Sequence, residues 1–262
     1  MKKLFAIILV AAVSGLCQAE SMRTLLVKEN KFPDAGQLEV GSVFKYSEYD
    51  QEETTIVFVD GLPVINPAGS REEMSAAPYL RYGLLENLTV IGTLPYRDID
   101  NEFGEDASGI GDASLGFELK VLEDIFDYPY VIPHMDVIFD TGDEEEGLGR
   151  GDSSVLLGCS VGTVVADIYH WIVDARYEVR NDEENVVSAA LAFIWDISDQ
   201  FSVLAEGYLS DEEVPPDAKH PAFAQGGMCY KATDNLAINI YGGAGKNPGE
   251  DMVGTLKVSY SF

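Results

Sequence analysis

Positive charge is scarce in this chain. Seventeen lysines and arginines stand against 45 aspartates and glutamates over 262 residues, a formal net charge of −28. So acidic a protein repels a phosphate backbone, and no stretch resembles a basic groove, so nucleic acid is excluded as a partner. Long apolar runs are missing too. After the first residues nothing approaches the roughly 18 consecutive apolar positions of a spanning helix, so this chain could cross a membrane only as a closed barrel. Histidine is confined to His134, His170 and His220. His134 and Asp136 share one face of an expected strand, but no motif sets a serine or cysteine nucleophile beside any of the three, and hydrolytic chemistry is weakly supported.

What is present begins with Lys2 and Lys3, an apolar run over residues 4–13, and Ser14-Gly15-Leu16-Cys17-Gln18-Ala19. This reads as a secretory signal peptide, residues 1–19, cut after Ala19. Its removal takes away two lysines and no acids, so the formal charge moves from −28 to −30. Hydrophobic residues make up 46% of the full chain, too many for a disordered acidic protein. The charge must be segregated from the apolar positions. Cys159 and Cys229 remain in an oxidising compartment, but the strand plan puts them four strands apart on opposite faces, so two free thiols are expected.

From Leu38 onward apolar and polar residues alternate with a period of two, which places them on opposite faces of strands. One face carries Leu80, Tyr82 and Leu84, then Leu115, Phe117 and Leu119, then Trp171, Val173, Tyr177 and Val179, then Leu191, Phe193 and Trp195. The residues 252–262 alternate likewise and stop on Phe262. Twelve such stretches are counted, separated alternately by short turns and by longer acidic loops. The expected architecture is all-β: an antiparallel up-and-down transmembrane β-barrel of about 12 strands. Residues 20–36 are expected to form an N-terminal periplasmic tail and residues 37–262 the outer-membrane barrel. The connection over residues 47–76 is expected to be the longest, with a small hairpin within it at 54–65. Pro133 lacks a ladder donor and should weaken pairing locally.

The other face of these strands supplies the candidate lumen: Arg81, Asp112, Glu118, Lys120, Asp174, Arg176, Glu178, Arg180, Glu206, Lys231 and Lys257. Such charges either fill a narrow interior as ion pairs or line a wet path that selects solutes. Asp106, Asp143, Glu144, Glu145, Glu146, Asp211, Glu212 and Glu213 fall in loops and are expected to ring the outer mouth. Tyr260 and Phe262, on the closing strand, are candidates for membrane insertion and assembly. Gly109-Ile110-Gly111-Asp112 lacks the helix that a phosphate loop requires and is read as a bend. Residues 143–147 lack the ligand spacing of a calcium loop. No metal, cofactor or catalytic residue is expected.

Leu80-Arg81-Tyr82-Gly83-Leu84, Gly109-Ile110-Gly111-Asp112 leading into Leu115-Gly116, and Thr141-Gly142-Asp143 resemble, in order and spacing, a family of outer-membrane transporters named for the meta-cleavage pathway of phenol degradation. The resemblance spans most of the chain from the first strand to Phe262, and departs from the family at Asp140, where a proline is usual. It implies passage of small solutes, small organic or aromatic compounds among them, through a narrow polar lumen in the outer membrane of a Gram-negative-type bacterium. Expected partners are outer-membrane lipids and lipopolysaccharide, a small-molecule solute, and the barrel-assembly machinery through the closing strand. The alternatives are a structural or surface-binding barrel with a plugged lumen and, further off, an outer-membrane hydrolase.

Overall fold

The computed structural model describes residues 21–51, 55–59, 62–66, 69–102, 105–121, 129–181, 184–212, 220–246 and 251–262. Their strands, in chain order, are β1 (Leu38–Gln51), β2 (Thr55–Val59), β3 (Leu62–Asn66), β4 (Gly69–Leu85), β5 (Leu88–Thr93), β6 (Tyr96–Asn101), β7 (Ala107–Ile110), β8 (Ser114–Leu119), β9 (Tyr130–Ile138), β10 (Ser154–Val165), β11 (Tyr169–Arg180), β12 (Val186–Ser198), β13 (Phe201–Ser210), β14 (Ala222–Lys231), β15 (Leu236–Lys246) and β16 (Met252–Ser261). Among the described residues no helix is long and apolar enough to cross a membrane.

All pairings are antiparallel. The sheet closes because β1 pairs with β16, from Glu39↔Ser261 to Glu48↔Met252, and on its other edge with β4, from Leu38↔Tyr82 to Gln51↔Gly69. Twelve strands complete the circuit, and β6 and β7 are the outer continuations of β5 and β8. Pro95, which has no N–H to give the ladder, separates β5 from β6, and residues 111–113 interrupt the descent from β7 to β8 at the expected bend. The β8–β9 ladder likewise stops at Glu118↔His134, next to Pro133, and only the single bridge Val121↔Val131 follows.

The connection after β1 is shorter than its composition suggested. Residues 47–51 and 69–76, expected as loop, extend β1 and β4 as a paired ribbon, and within the remaining loop β2 and β3 pair only with each other. The 54–65 stretch therefore adds no strand to the barrel.

The faces separate as the alternation predicts. Leu80, Leu115, Leu157, Val173, Leu191, Leu209, Met228 and Ile240 are exposed on the outer wall, whereas Glu39, Arg81, Glu118, Asp174, Glu206 and Lys257 are buried on the inner one. This inversion of the usual soluble pattern requires an apolar solvent outside. Near one rim Trp171 packs on Phe193 at 4.6 Å between ring centroids, and Tyr169 stacks on the same Phe193 at 6.1 Å. Aromatic girdles of this kind mark a membrane interface. Cys159 points outward and Cys229 lies buried inside, both free.

The two ends differ. One carries the last residue of the chain, short turns at residues 86–87, 166–168, 199–200 and 232–235, and the longer connection between β8 and β9; the other carries the remaining long connections. In the 166–168 turn the Ile168 N–H donates to the Val165 carbonyl, and the two central residues Ala166 and Asp167 both take positive φ, 54° and 60°, the type I′ combination whose twist matches the flanking strands.

Candidate functional site

The inner wall is not empty. Residues 21–31, expected to hang below the barrel as a tail, lie inside it. Thr24 Oγ1 donates to the Val27 carbonyl at 2.9 Å, turning the segment back on itself, and the Leu25-Leu26-Val27 tip packs against an inward apolar patch. That patch includes Ile132, Ile172, Ala192, Ile194 and Leu204, all buried. A chain leaving the tip returns to the short-turn rim, where the Gly36 N–H donates to the Gly83 carbonyl at 2.7 Å. Gly83 is required there. A Cβ at that position would stand 2.2 Å from the Asp34 carbonyl oxygen and 2.6 Å from that of Pro33, an overlap with backbone that no rotamer relieves.

Inside the barrel the segment makes hydrogen bonds that a strand would have made to a neighbour. Its main chain has no ladder partner, so each buried N–H and C=O needs a side chain from the wall. Glu206 accepts from the N–H groups of Leu25 and Leu26 at 3.1 and 3.0 Å and is itself held by the Gln225 amide at 2.7 Å. Ser160 Oγ accepts from Lys28 N–H at 2.9 Å. Arg176 donates to the Leu26 carbonyl and the Tyr241 hydroxyl to that of Arg23. Lys257 Nζ donates to Met22 O at 2.7 Å, and Arg81 to Lys31 O at 2.9 Å.

Two basic side chains of the segment are received by wall carboxylates. Arg23 pairs with Asp196 and, within the segment, with Glu29 through both its backbone N–H and its guanidinium Nε, each at 2.9 Å. Lys28 Nζ meets Glu118 at 2.9 Å. Burial alone would push the Glu29 carboxyl up, but the adjoining Arg23 charge and hydrogen bonds outweigh it and hold the group down to about 2. Burial likewise opposes the charge on Lys28, and Glu118 overcomes it, so its ammonium is held above the usual range. Each buried charge in this set is paired, without which burial would be prohibitive.

The residues expected to line the lumen divide by height. Arg81, Glu118, Asp174, Arg176, Glu206 and Lys257 form the inner surface around the segment: Arg81 bridges Glu39 at 2.8 Å and Glu118 at 3.2 Å, and Asp174 accepts from Arg176 Nε at 2.5 Å. Glu178 and Arg180 lie higher, with Arg180 between Glu178 at 3.1 Å and Glu212 at 2.7 Å. Lys120 sits above the Phe32 ring at 5.5 Å, and Lys231 lies at the short-turn rim, 3.7 Å from Asp234. Asp112 does not line a path. It accepts from Gly142 and Arg150 N–H groups, both at 2.9 Å, and so folds the loop of residues 140–150 inward over Leu148. Thr141 Oγ1 accepts from Ala113 N–H at 2.8 Å, so two of the sequence motifs, around 109–112 and 141–143, meet in space at this loop.

Of the acidic mouth residues, Asp106, Asp143, Glu144, Glu145, Glu146 and Asp211 are exposed at the long-loop end. Asp106 accepts from Asn101 N–H at 3.2 Å, Asp143 from Glu145 N–H at 3.0 Å and Asp211 from Val187 N–H at 2.6 Å. Glu213 lies outside the described residues. Tyr260 and Phe262 stack edge to face at 4.8 Å, and Phe262 N–H donates to Leu38 O at 2.8 Å beside the seam between the first and last strands.

The two inner histidines have carboxylate partners that the sequence did not identify: His134 Nε2 lies 2.9 Å from Asp174 and His170 Nε2 lies 2.7 Å from Asp196. The nearby serines serve the same carboxylates. Ser160 donates to Asp174 and Ser202 to Asp196, at 2.6 Å for the latter, so neither hydroxyl is aligned for activation by an imidazole. Gly158 makes room for His134, since a Cβ there would stand 2.2 Å from the ring. Among the described residues no group of three or more histidine, cysteine or acidic side chains could hold a metal ion. Below the segment a cavity of about 750 Å³ opens at the short-turn end, lined by Arg23, Glu29, His170, Asp196 and Asp234 among others.

Comparison with solved structures agrees with this geometry. The COG4313 outer membrane channel from Pseudomonas putida F1 superposes with a TM-score of 0.72 at 14% identity, over 90% of this chain and all of that one. The fold is that of an outer-membrane barrel. The NanC porin aligns at TM-score 0.55 and 9% identity over 85% of this chain and 98% of its own. The translocator domain of autotransporter NalP from Neisseria meningitidis gives 0.53 and 13% over 87% and 89%. No family model matches the sequence, and no curated protein does. The expectation of an outer-membrane barrel is thus supported at the level of fold, and these three neighbours are a channel, a porin and a translocator domain.

Proposed function

We propose that this protein is an outer-membrane channel for small solutes whose lumen is closed at rest by its own residues 21–31. The carrying observation is that the interior is filled by a non-strand segment held through wall side chains. A segment attached in this way can withdraw without breaking the barrel ladder. The outer-membrane placement follows from the apolar wall and aromatic rim, with the short-turn end periplasmic and the acidic loops outside. The inner charges Arg81, Glu118, Asp174, Arg176, Glu206 and Lys257 then line the path when the segment leaves. Outer-membrane lipids and lipopolysaccharide surround the wall, and the closing strand with Tyr260 and Phe262 is the feature that the assembly machinery would engage. Small organic or aromatic compounds remain within the solute class, as the motifs imply.

Planar-bilayer recording of the full mature chain tests this. Small, flickering conductance that grows when Val27→Asp weakens the segment's apolar anchor is expected. The second reading, a structural barrel with a permanent plug, rests on the same occluding segment and predicts silence in both chains.

A further inference from the structure

We infer that the lumen wall carries a recognition track for short peptides with apolar residues between two basic ones, and that residues 23–28 occupy this track in cis as a built-in ligand. The inference rests on the channel reading and names a solute class for it. Its basis is what the wall binds. Glu206, Ser160, Arg176 and Tyr241 contact the main chain of residues 23–28 rather than its side chains, three N–H groups on one hand and two carbonyls on the other, and Lys257 and Arg81 hold the flanking carbonyls of Met22 and Lys31.

Main-chain contacts read any extended or turned peptide, whatever its sequence. A hydrocarbon offers such a wall nothing, and would leave Glu206, Arg176 and Lys257 without the hydrogen bonds they make to the segment. A sugar could bond to them, but would not fill the apolar patch of Ile132, Ile172, Ile194 and Leu204. Side-chain preference comes from three further features: Asp196 receives Arg23, the apolar patch receives the Leu25-Leu26-Val27 tip, and Glu118 receives Lys28. In sequence order the track thus accepts a base, an apolar cluster and a second base. The acidic loops at the far mouth would concentrate the same cationic ligands.

The test uses the capped, fluorescent hexapeptide Arg-Thr-Leu-Leu-Val-Lys, matching residues 23–28, and a version N-methylated at both leucines. Methylation removes the two N–H groups that Glu206 accepts and keeps every side chain and charge. Binding to the full mature chain is measured by anisotropy, in wild type and in Val27→Asp, where the internal segment competes less. The expected result is binding at least about tenfold tighter to Val27→Asp than to wild type, and at least about tenfold weaker for the methylated peptide, as loss of hydrogen bonds to a charged acceptor implies. Equal binding of the two peptides would overturn the inference, as would no binding to a Val27→Asp chain that conducts ions; in both cases the channel reading survives. Binding with the expected methylation penalty in a chain that never conducts would support the track and remove the channel. Should Val27→Asp fail to assemble, the wild-type chain serves. There the plain peptide should still bind at least about tenfold tighter than the methylated one, and equal binding would again overturn the inference.

Discussion

Lys257, five residues from the end of the chain, donates its ammonium to the carbonyl oxygen of Met22 at 2.7 Å. The closing strand thereby holds the lower end of the occluding segment, and barrel closure and lumen closure are linked through one side chain. Lys257→Met keeps the length and apolar stem of the side chain and removes the donor. Hydrogen bonds to charged groups contribute about 1.5–3 kcal/mol. The variant should assemble, melt lower by that order, and conduct more than wild type in planar bilayers. Unchanged conductance would separate this contact from gating.

Cys229 offers a natural reporter. It is buried beside Val27 and Tyr241 in the inner apolar cluster, whereas Cys159 faces outward. In a Cys159→Ser background, a membrane-impermeant maleimide should label Cys229 slowly in the wild-type lumen. Glu206→Ala, which removes the acceptor for two segment N–H groups, should raise the labelling rate several-fold. Equal rates would mean that the segment stays in place without Glu206.

The phase of the strands can be tested by adding charge to each face. Leu191 and Ile240 are exposed on the outer wall, while Ser188 and Thr255 are buried on the inner one. An arginine at mid-bilayer on a barrel exterior costs about 2–4 kcal/mol. Leu191→Arg and Ile240→Arg should therefore reduce the heat-modifiable folded band on unboiled gels far more than Ser188→Arg or Thr255→Arg. Comparable losses from both pairs would contradict the assigned faces.

Acid should loosen the segment through Glu29. Its carboxyl is held down to about 2 in the folded chain by Arg23, against an ordinary value of 4.5. A depressed carboxylate contributes docking stability that is fully present above pH 4.5 and disappears as pH falls towards 2. Conductance should accordingly be flat between neutral pH and about 5, then rise on further acidification. Glu29→Gln should conduct more at neutral pH and show a smaller acid step, the difference isolating Glu29 from Asp196 on the other side of Arg23.

The barrel was legible in the sequence because lipid imposes a two-residue rhythm that no loop imitates. Trp171, Val173, Tyr177 and Val179 could lie on one face only. The segment of residues 21–31 was not legible, since its conformation obeys no repeat and is set by wall groups hundreds of positions away, Lys257 and Tyr241 among them. One signal could have been used. From Val186 to Trp195 nearly every position is apolar, so Ala190, Ala192 and Ile194 had to face the interior, and a strand apolar on both faces is buried on both. Something apolar had to fill the lumen at that level. Similarly, residues 69–76 are not legible as strand, because above the membrane a ribbon meets water on both sides and alternation is no longer enforced.

The acidic mouth sets the last prediction. Asp143, Glu144, Glu145 and Glu146 are exposed at the long-loop end, and Arg97, which could have offset them, is directed at Glu73 at 2.8 Å and at the carbonyls of Gly147 and Leu148. Their potential should concentrate cations at the entrance and deplete anions. Deeper inside, Arg81, Arg176 and Lys257 act in the opposite sense, but Arg81 is matched by Glu39 and Glu118 and Arg176 by Asp174, and the Lys257 charge, hydrogen-bonded to a carbonyl, is offset by the nearby Glu39 carboxylate. The mouth therefore determines the sign. Reversal potentials in a salt gradient should show a modest cation preference that weakens as salt shortens the screening length to about 10 Å near 0.1 M. Replacing the four acids by Asn and Gln should move the reversal potential towards zero without changing the heat-modifiable band. A strong anion preference in the intact protein would place the selecting charges at the inner arginines instead of the loops.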